Sequence, residues 1–246
     1  MLLSTFLAAN PFILSSAQAG IDVYASPNDI QSAEDTGITG VTTETFETQP
    51  IGDMNTFAST TIDGTYATTS GFNYIAANDI YGGYQLGNRV NLTAPGSFTL
   101  TLNSPAEYLG FYFTAGDPNN NVDIYDGANL LLSFNTVSLM NLIPNDGFST
   151  VTSINGSVYN TRDYYGQPVT GSNGSEPYAY LHFIATGGTN FNRIVFSQTT
   201  TATFDNDNHS IRATAPPIPG SLISVPEPAS LASLGLALLA LRRRRH

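Results

Sequence analysis

Apolar and polar residues alternate with a period of two along most of the chain, as strands with one buried face do. Phe98, Leu100 and Leu102 alternate with Thr99 and Thr101; Leu109, Phe111 and Phe113 alternate with Gly110 and Tyr112; Leu181 and Phe183 alternate with Tyr180 and His182. Further strands are expected at Val41 to Glu47, Thr60 to Ala67, Arg89 to Leu92, Phe191 to Ser197 and Ser210 to Thr214. Val122 to Tyr125 and Leu130 to Phe134 flank Asp126-Gly127-Ala128-Asn129, a hairpin signature because Asp-Gly supplies the positive φ that tight turns need. No stretch between the two ends carries a helical apolar stripe. The pattern predicts an all-β fold, an antiparallel β-sandwich of jelly-roll-like type.

Two turn-rich stretches interrupt this rhythm, Ala76 to Asn88 with Tyr81-Gly82-Gly83-Tyr84, and Asn155 to Pro177 with Tyr164-Tyr165-Gly166. Loops of that length in a compact domain are commonly functional. From Ala213 the sequence becomes Pro-rich, an expected stiff linker. The expected organisation is a signal peptide at 1–19, a β-sandwich at 20–213, a Pro-rich linker at 214–224 and a terminal segment at 225–246.

The two ends are patterned differently. Leu2 to Leu14 is apolar apart from a few positions, and Ala17-Gln18-Ala19 follows, with small residues where signal peptidase cuts; cleavage before Gly20 is expected. No Lys or Arg precedes that region, which departs from the usual signal pattern. At the other end, Pro226-Glu227-Pro228 is followed by an uncharged run to Leu241 and then Arg242, Arg243, Arg244 and Arg245. Prolines hold the short motif extended, as a peptidase groove requires, and the arginines would stay on the cytoplasmic side. The run of about 13 residues makes roughly 20 Å of helix against a hydrocarbon core of about 30 Å. A transient stop before cleavage therefore fits it better than a permanent anchor.

This tail resembles the PEP-CTERM sorting signal of proteins processed by exosortases in Gram-negative bacteria. The blocks Phe46-Glu47-Thr48, Tyr81-Gly82-Gly83, Leu109 to Asp117, Tyr164-Tyr165-Gly166, Glu176 to Tyr180 and Phe204 to His209 resemble an exosortase-dependent surface protein family. The resemblance implies signal peptidase and exosortase as processing partners and transient contact with the inner membrane. It also implies a final place at the cell surface or in the extracellular matrix, and it implies no particular chemistry.

Composition narrows the chemistry. Setting aside the four tail arginines and Glu227, 8 basic and 19 acidic residues become 4 against 18, a formal charge of −14 on the body. Nucleic-acid binding is disfavoured, because phosphate neutralisation needs basic clusters. Zero cysteines remove disulfides, thiolate metal sites and cysteine nucleophiles.

Acidic and amide side chains suggest calcium, which takes six to eight hard oxygen ligands. The expected structural site joins Glu44 or Glu47 near the first strand to Asp205, Asn206 and Asp207 in the last; Asp117, in an Asp/Asn-rich turn, is a second candidate. Tyr81, Tyr84, Tyr164 and Tyr165, with Tyr178 and Tyr180, are candidate platforms for sugar rings, although the chain has no Trp. His182 and His209 have no second histidine at zinc-ligand spacing, and His209 is expected to bond Asp207. Gly171-Ser172-Asn173-Gly174-Ser175 reads as a turn, not a nucleophile elbow. No catalytic residue is assigned. The expected role is structural or adhesive, with exopolysaccharide binding as the first alternative and glycoside hydrolysis as the second.

Overall fold

In the computed structural model the chain is described at residues 20–77, 87–93, 95–114, 116–166, 176–199, 202–218 and 223–224. Strands β1 (Gly20–Ala25), β2 (Thr42–Glu44), β3 (Gly52–Asp53), β4 (Phe57–Ala58), β5 (Gly64–Ser70) and β6 (Asn73–Ala77) come first. They are followed by β7 (Asn88–Thr93), β8 (Gly96–Ala106) and β9 (Tyr108–Phe113). The hairpin of β10 (Asn120–Asp126) and β11 (Asn129–Asn135) leads into helix α1 (Thr136–Leu142). The chain continues through β12 (Thr150–Thr152), β13 (Val158–Asn160), β14 (Ala179–Thr186), β15 (Phe191–Gln198), β16 (Thr203–Arg212) and β17 (Ile223–Ser224).

Two antiparallel sheets form the sandwich. The larger has the order β17-β1-β14-β9-β16-β7-β6-β3, and the smaller β11-β10-β15-β8-β5-β4; β12 and β13 pair with each other. One flank of β16 is shared by β7, opposite residues 203–206, and β2, opposite residues 209–211. The expected hairpin is present, and Gly127 at its turn has φ +57°.

Aromatic rings fill the space between the sheets. Phe98 stacks on Phe196 at 4.7 Å, Phe111 on Phe183 at 5.5 Å, and Phe134 meets Phe183 edge-on at 5.3 Å. Such pairs contribute about 0.5–1.5 kcal/mol beyond the area they bury. With no cysteine in the chain, this packing has no covalent support.

The central strands β14, β9 and β16 of the larger sheet are buried on both faces, whereas simple alternation predicts one. Every residue from Tyr108 to Phe113 is buried. The outer face carries a second cluster of Tyr24, Tyr108, Tyr112, Tyr178, Tyr180 and Ile184. It is covered by Ala33, Ile38 and Ile154, with Val41, Ala215 and Ile218 packed against it. The Pro-rich stretch expected as a spacer therefore lies partly on the body. Ala215 N–H donates to Glu107 Oε2 at 2.8 Å, and β17 pairs with β1 with Asp22 opposite Ser224.

Helix α1 is a second departure from the strand pattern. Asn135 caps it by accepting from Ser138 N–H at 3.0 Å, and Leu139 and Leu142 face the core. Seven residues are too few for a helical period to stand out in the sequence.

Candidate functional site

The residues expected to hold calcium are brought near one another only in part, and their oxygens have protein donors. β2 lies beside β16, with Glu44 opposite His209, while residues 203–206 of β16 pair with β7. Glu44 is buried; it accepts from Phe46 N–H at 3.0 Å and Ser59 Oγ at 2.5 Å, holding Phe46 at φ +59°. Glu47 is exposed and accepts from Asn88 N–H at 2.8 Å. Asp205 accepts from Arg89 Nε at 2.9 Å and Asn91 Nδ2 at 2.6 Å, an ion pair with both partners buried. Asn206 Oδ1 meets His209 Nε2, and Asp207 accepts from Asn208 N–H at 2.7 Å. A cation at this junction would have to displace these donors. Among the described residues, no group of three or more His, Asp or Glu is arranged to hold a metal ion.

Asp117 has a different partner, Glu176. Burial raises the pKa of both carboxyls, and the hydrogen bond between them favours the ionised Asp117 and the protonated Glu176. The pair is in direct contact, which does not match the roughly 5–10 Å spacing that glycoside hydrolysis needs. Asn119, at φ +75°, completes the turn that follows Asp117.

Both body histidines are wholly buried and neutral. His209 faces inward because β16 gains one residue against β9 between Asp207 and Ser210, and Asn208 takes φ +51°. Its ring stacks on Phe196 at 4.6 Å, Tyr66 Oη lies 3.2 Å from Nδ1, and Asn206 Oδ1 lies 2.8 Å from Nε2. Tyr66 and Asn206, not the expected Asp207, are thus its hydrogen-bond partners. The bulge, which the sequence pattern does not announce, turns it away from Asp207. His182 lies on the outer face, between Ser26 Oγ at 2.7 Å and Tyr108 Oη at 2.9 Å. Desolvation lowers each pKa to about 3. The Ser26–His182 contact resembles half of a hydrolase dyad, but both residues are fully buried and serve as core hydrogen-bond partners.

The candidate sugar-binding tyrosines separate. Tyr81 and Tyr84 lie outside the described residues, as do Ala17, Ala19, Pro226, Glu227, Pro228 and Arg242 to Arg245. Gly20 is the first described residue and opens β1. Tyr164 is completely buried, with Oη donating to Ser26 O at 2.7 Å, so it cannot meet a ligand. Tyr178 and Tyr180 are buried in the outer cluster.

Tyr165 lines a cavity of about 450 Å³ that it shares with Asn145, Asp146, Gly147 and Arg162. Its hydroxyl donates to Ile143 O at 2.7 Å. Asp146 accepts from Phe148 N–H at 2.9 Å, Ser149 N–H at 2.8 Å and Ser149 Oγ at 2.6 Å, and these bonds hold its carboxyl below the usual range. Asn145, Asp146 and Arg162 were not legible as a site, because the β12–β13 hairpin separates them in sequence. The scarcity of arginine was the one available signal.

Residues 224–245 match the PEP-CTERM protein-sorting motif. That motif marks the chain for export and exosortase-dependent sorting to the cell surface. The chain matches no curated protein. Among solved structures, the K2 cleaved adhesin domain of Lys-gingipain is similar at 12% identity over 71% of this chain and 98% of that one, with a TM-score of 0.39. The catalytic domain of a GH87 α-1,3-glucanase, in complex with tetrasaccharides, is similar at 19% identity over 77% of this chain and 31% of that one, with a TM-score of 0.35. Among the described residues, no helix is long and apolar enough to cross a membrane.

Proposed function

We propose that the protein is a non-catalytic adhesive component of the surface or extracellular matrix of a Gram-negative bacterium. Signal peptidase and an exosortase act on its two ends. The observation that carries this reading is the excursion from 136 to 166, between β11 and β14. It holds Val137, Met140, Phe148 and Val158, four of the seven large hydrophobic side chains that are exposed among the described residues. Exposed apolar side chains concentrated in one excursion suit an interaction surface, and the same excursion carries the cavity at Tyr165. The histidines, the Ser26 hydroxyl and the β16 carboxylates have partners within the fold, which supports binding over hydrolysis.

The test is to express the chain with and without residues 226–246 in an exosortase-bearing host lacking its own copy. Fractionation, the mass of the mature protein and cell attachment to a surface are then measured. The full chain is expected to reach the surface or medium with both ends trimmed and to restore attachment, while the truncated chain restores none. Cytosolic protein with uncut ends, or unchanged attachment, would overturn the reading.

A further inference from the structure

We propose that the cavity bounded by Asn145, Asp146, Gly147, Arg162 and Tyr165 binds one neutral sugar residue of a polysaccharide, with Arg162 and Asp146 bonding its hydroxyls. This deepens the adhesive reading above and rests on it. A volume of about 450 Å³ lies within the roughly 300–1,000 Å³ of small-ligand sites.

The arrangement of charge is the main argument. Arg162 and Asp146 line one cavity, yet they form no ion pair with each other. Every other arginine of the body has a partner: Arg89 has Asp205, Arg193 lies 3.7 Å from the Tyr125 ring centre and donates to Gly127 O, and Arg212 donates to Thr214 O. The Arg162 guanidinium has none among the described residues. A sugar hydroxyl both donates and accepts, so a donor-only cation and an acceptor-only carboxylate across a gap suit adjacent hydroxyls. Asp146 already accepts three hydrogen bonds, and an ionised carboxylate has about four acceptor positions, so one remains.

The apolar side of the site is fixed in advance. The bond from the Tyr165 hydroxyl to Ile143 O and the Tyr165–Pro177 bridge hold this residue, which removes an ordering cost on binding. Phe148, 90% exposed, follows Gly147 on the same turn and offers a second ring for stacking. The ligand is neutral because Asp146 offsets the charge of Arg162 locally and a body of formal charge −14 repels polyanions.

The experiment is calorimetric titration of the mature, processed protein with glucan- and mannan-derived hexasaccharides, and with a galacturonic-acid oligomer. At least one neutral hexasaccharide is expected to bind. Arg162→Met and Phe148→Ala should each weaken it about tenfold, the loss of one good contact, with unchanged melting temperature. Arg193→Met, in β15 of the smaller sheet and outside the cavity, should bind as the unsubstituted protein does. Absence of binding by every neutral hexasaccharide, or binding of the uronic oligomer alone, overturns the proposal. Undiminished affinity in both Arg162→Met and Phe148→Ala overturns this site. The attachment assay above reads separately whether the adhesive role stands.

Discussion

Acidification should destabilise this protein well above the pH at which carboxylates titrate, because its two body histidines are folded as neutral groups. Desolvation lowers each to about 3, against 6.5 in the unfolded chain. Their contribution is therefore complete above pH 6.5 and is lost as pH falls toward 3, since in that window the unfolded state binds more protons. Each histidine costs about 1.4 kcal/mol per pH unit below 6.5, so the pair removes about 4 kcal/mol by pH 5. Against a typical total of about 5–15 kcal/mol, that is a large share.

The surroundings of His209 explain why its ring does not simply accept a proton. Asn206 Oδ1 faces His209 Nε2 and Tyr66 Oη faces Nδ1, which one neutral tautomer satisfies by donating to the amide and accepting from the phenol. A charge there would sit among Phe46, Phe98, Phe111 and Phe196. Asp22, Asp117 and Glu176 oppose the trend, because their raised pKa values favour the folded state as pH falls, but they are partly exposed.

Urea unfolding at 25 °C, followed by circular dichroism between pH 7.5 and 4.5, measures the slope. His182→Gln and His209→Gln should each lower stability at pH 7.5 and roughly halve its pH dependence. A stability that stays level from pH 7 to 5, or a slope that neither substitution reduces, would refute the assignment of neutral buried histidines.

Gly110→Ala should be among the most damaging single-methyl changes in the chain. Its Cβ would lie 2.5 Å from Tyr108 Oη, 2.6 Å from Tyr180 Oη and 2.9 Å from Tyr180 Cε1, so about 1–3 kcal/mol of destabilisation is expected in thermal melts. Arg89→Met should cost about 3–5 kcal/mol in urea unfolding by leaving Asp205 charged and buried; adding Asp205→Asn should recover part of that loss. Gly127→Ala, at φ +57° in an open turn, should cost on the order of 1 kcal/mol without changing the circular dichroism spectrum.

The sandwich was legible because strand side chains alternate, and Phe98-Leu100-Leu102 or Leu109-Phe111-Phe113 display that alternation directly. What was not legible is the second face. Tyr108, Tyr112 and Tyr180 look like solvent-side residues of one-faced strands, yet residues 33–41 and 215–218 fold over them. That cover is non-local and leaves no period in the strands it hides. The β16 bulge is invisible for a related reason: one added residue moves His209 to the opposite face, and only the partner strand reveals the shift. The acidic residues show a further non-local effect. Asp and Asn were read as cation ligands by type, while in the fold Glu44, Asp205 and Asp207 accept from Phe46, Arg89 and Asn208, as short polar side chains do in turns and irregular strands.

The covered outer face also joins the body to its sorting signal. Because β17 runs antiparallel to β1 with Asp22 opposite Ser224 and Val23 opposite Ile223, the start of β1 at Gly20 and the end of β17 at Ser224 point the same way along one sheet edge. Ser224 is also the first residue of the matched sorting motif. The described chain thus enters and leaves the sandwich at one corner. Ala215 and Ile218 pack on the outer cluster, so the segment that precedes β17 is tied to the body, and the first residue of the matched motif, Ser224, lies on a strand at the sheet edge.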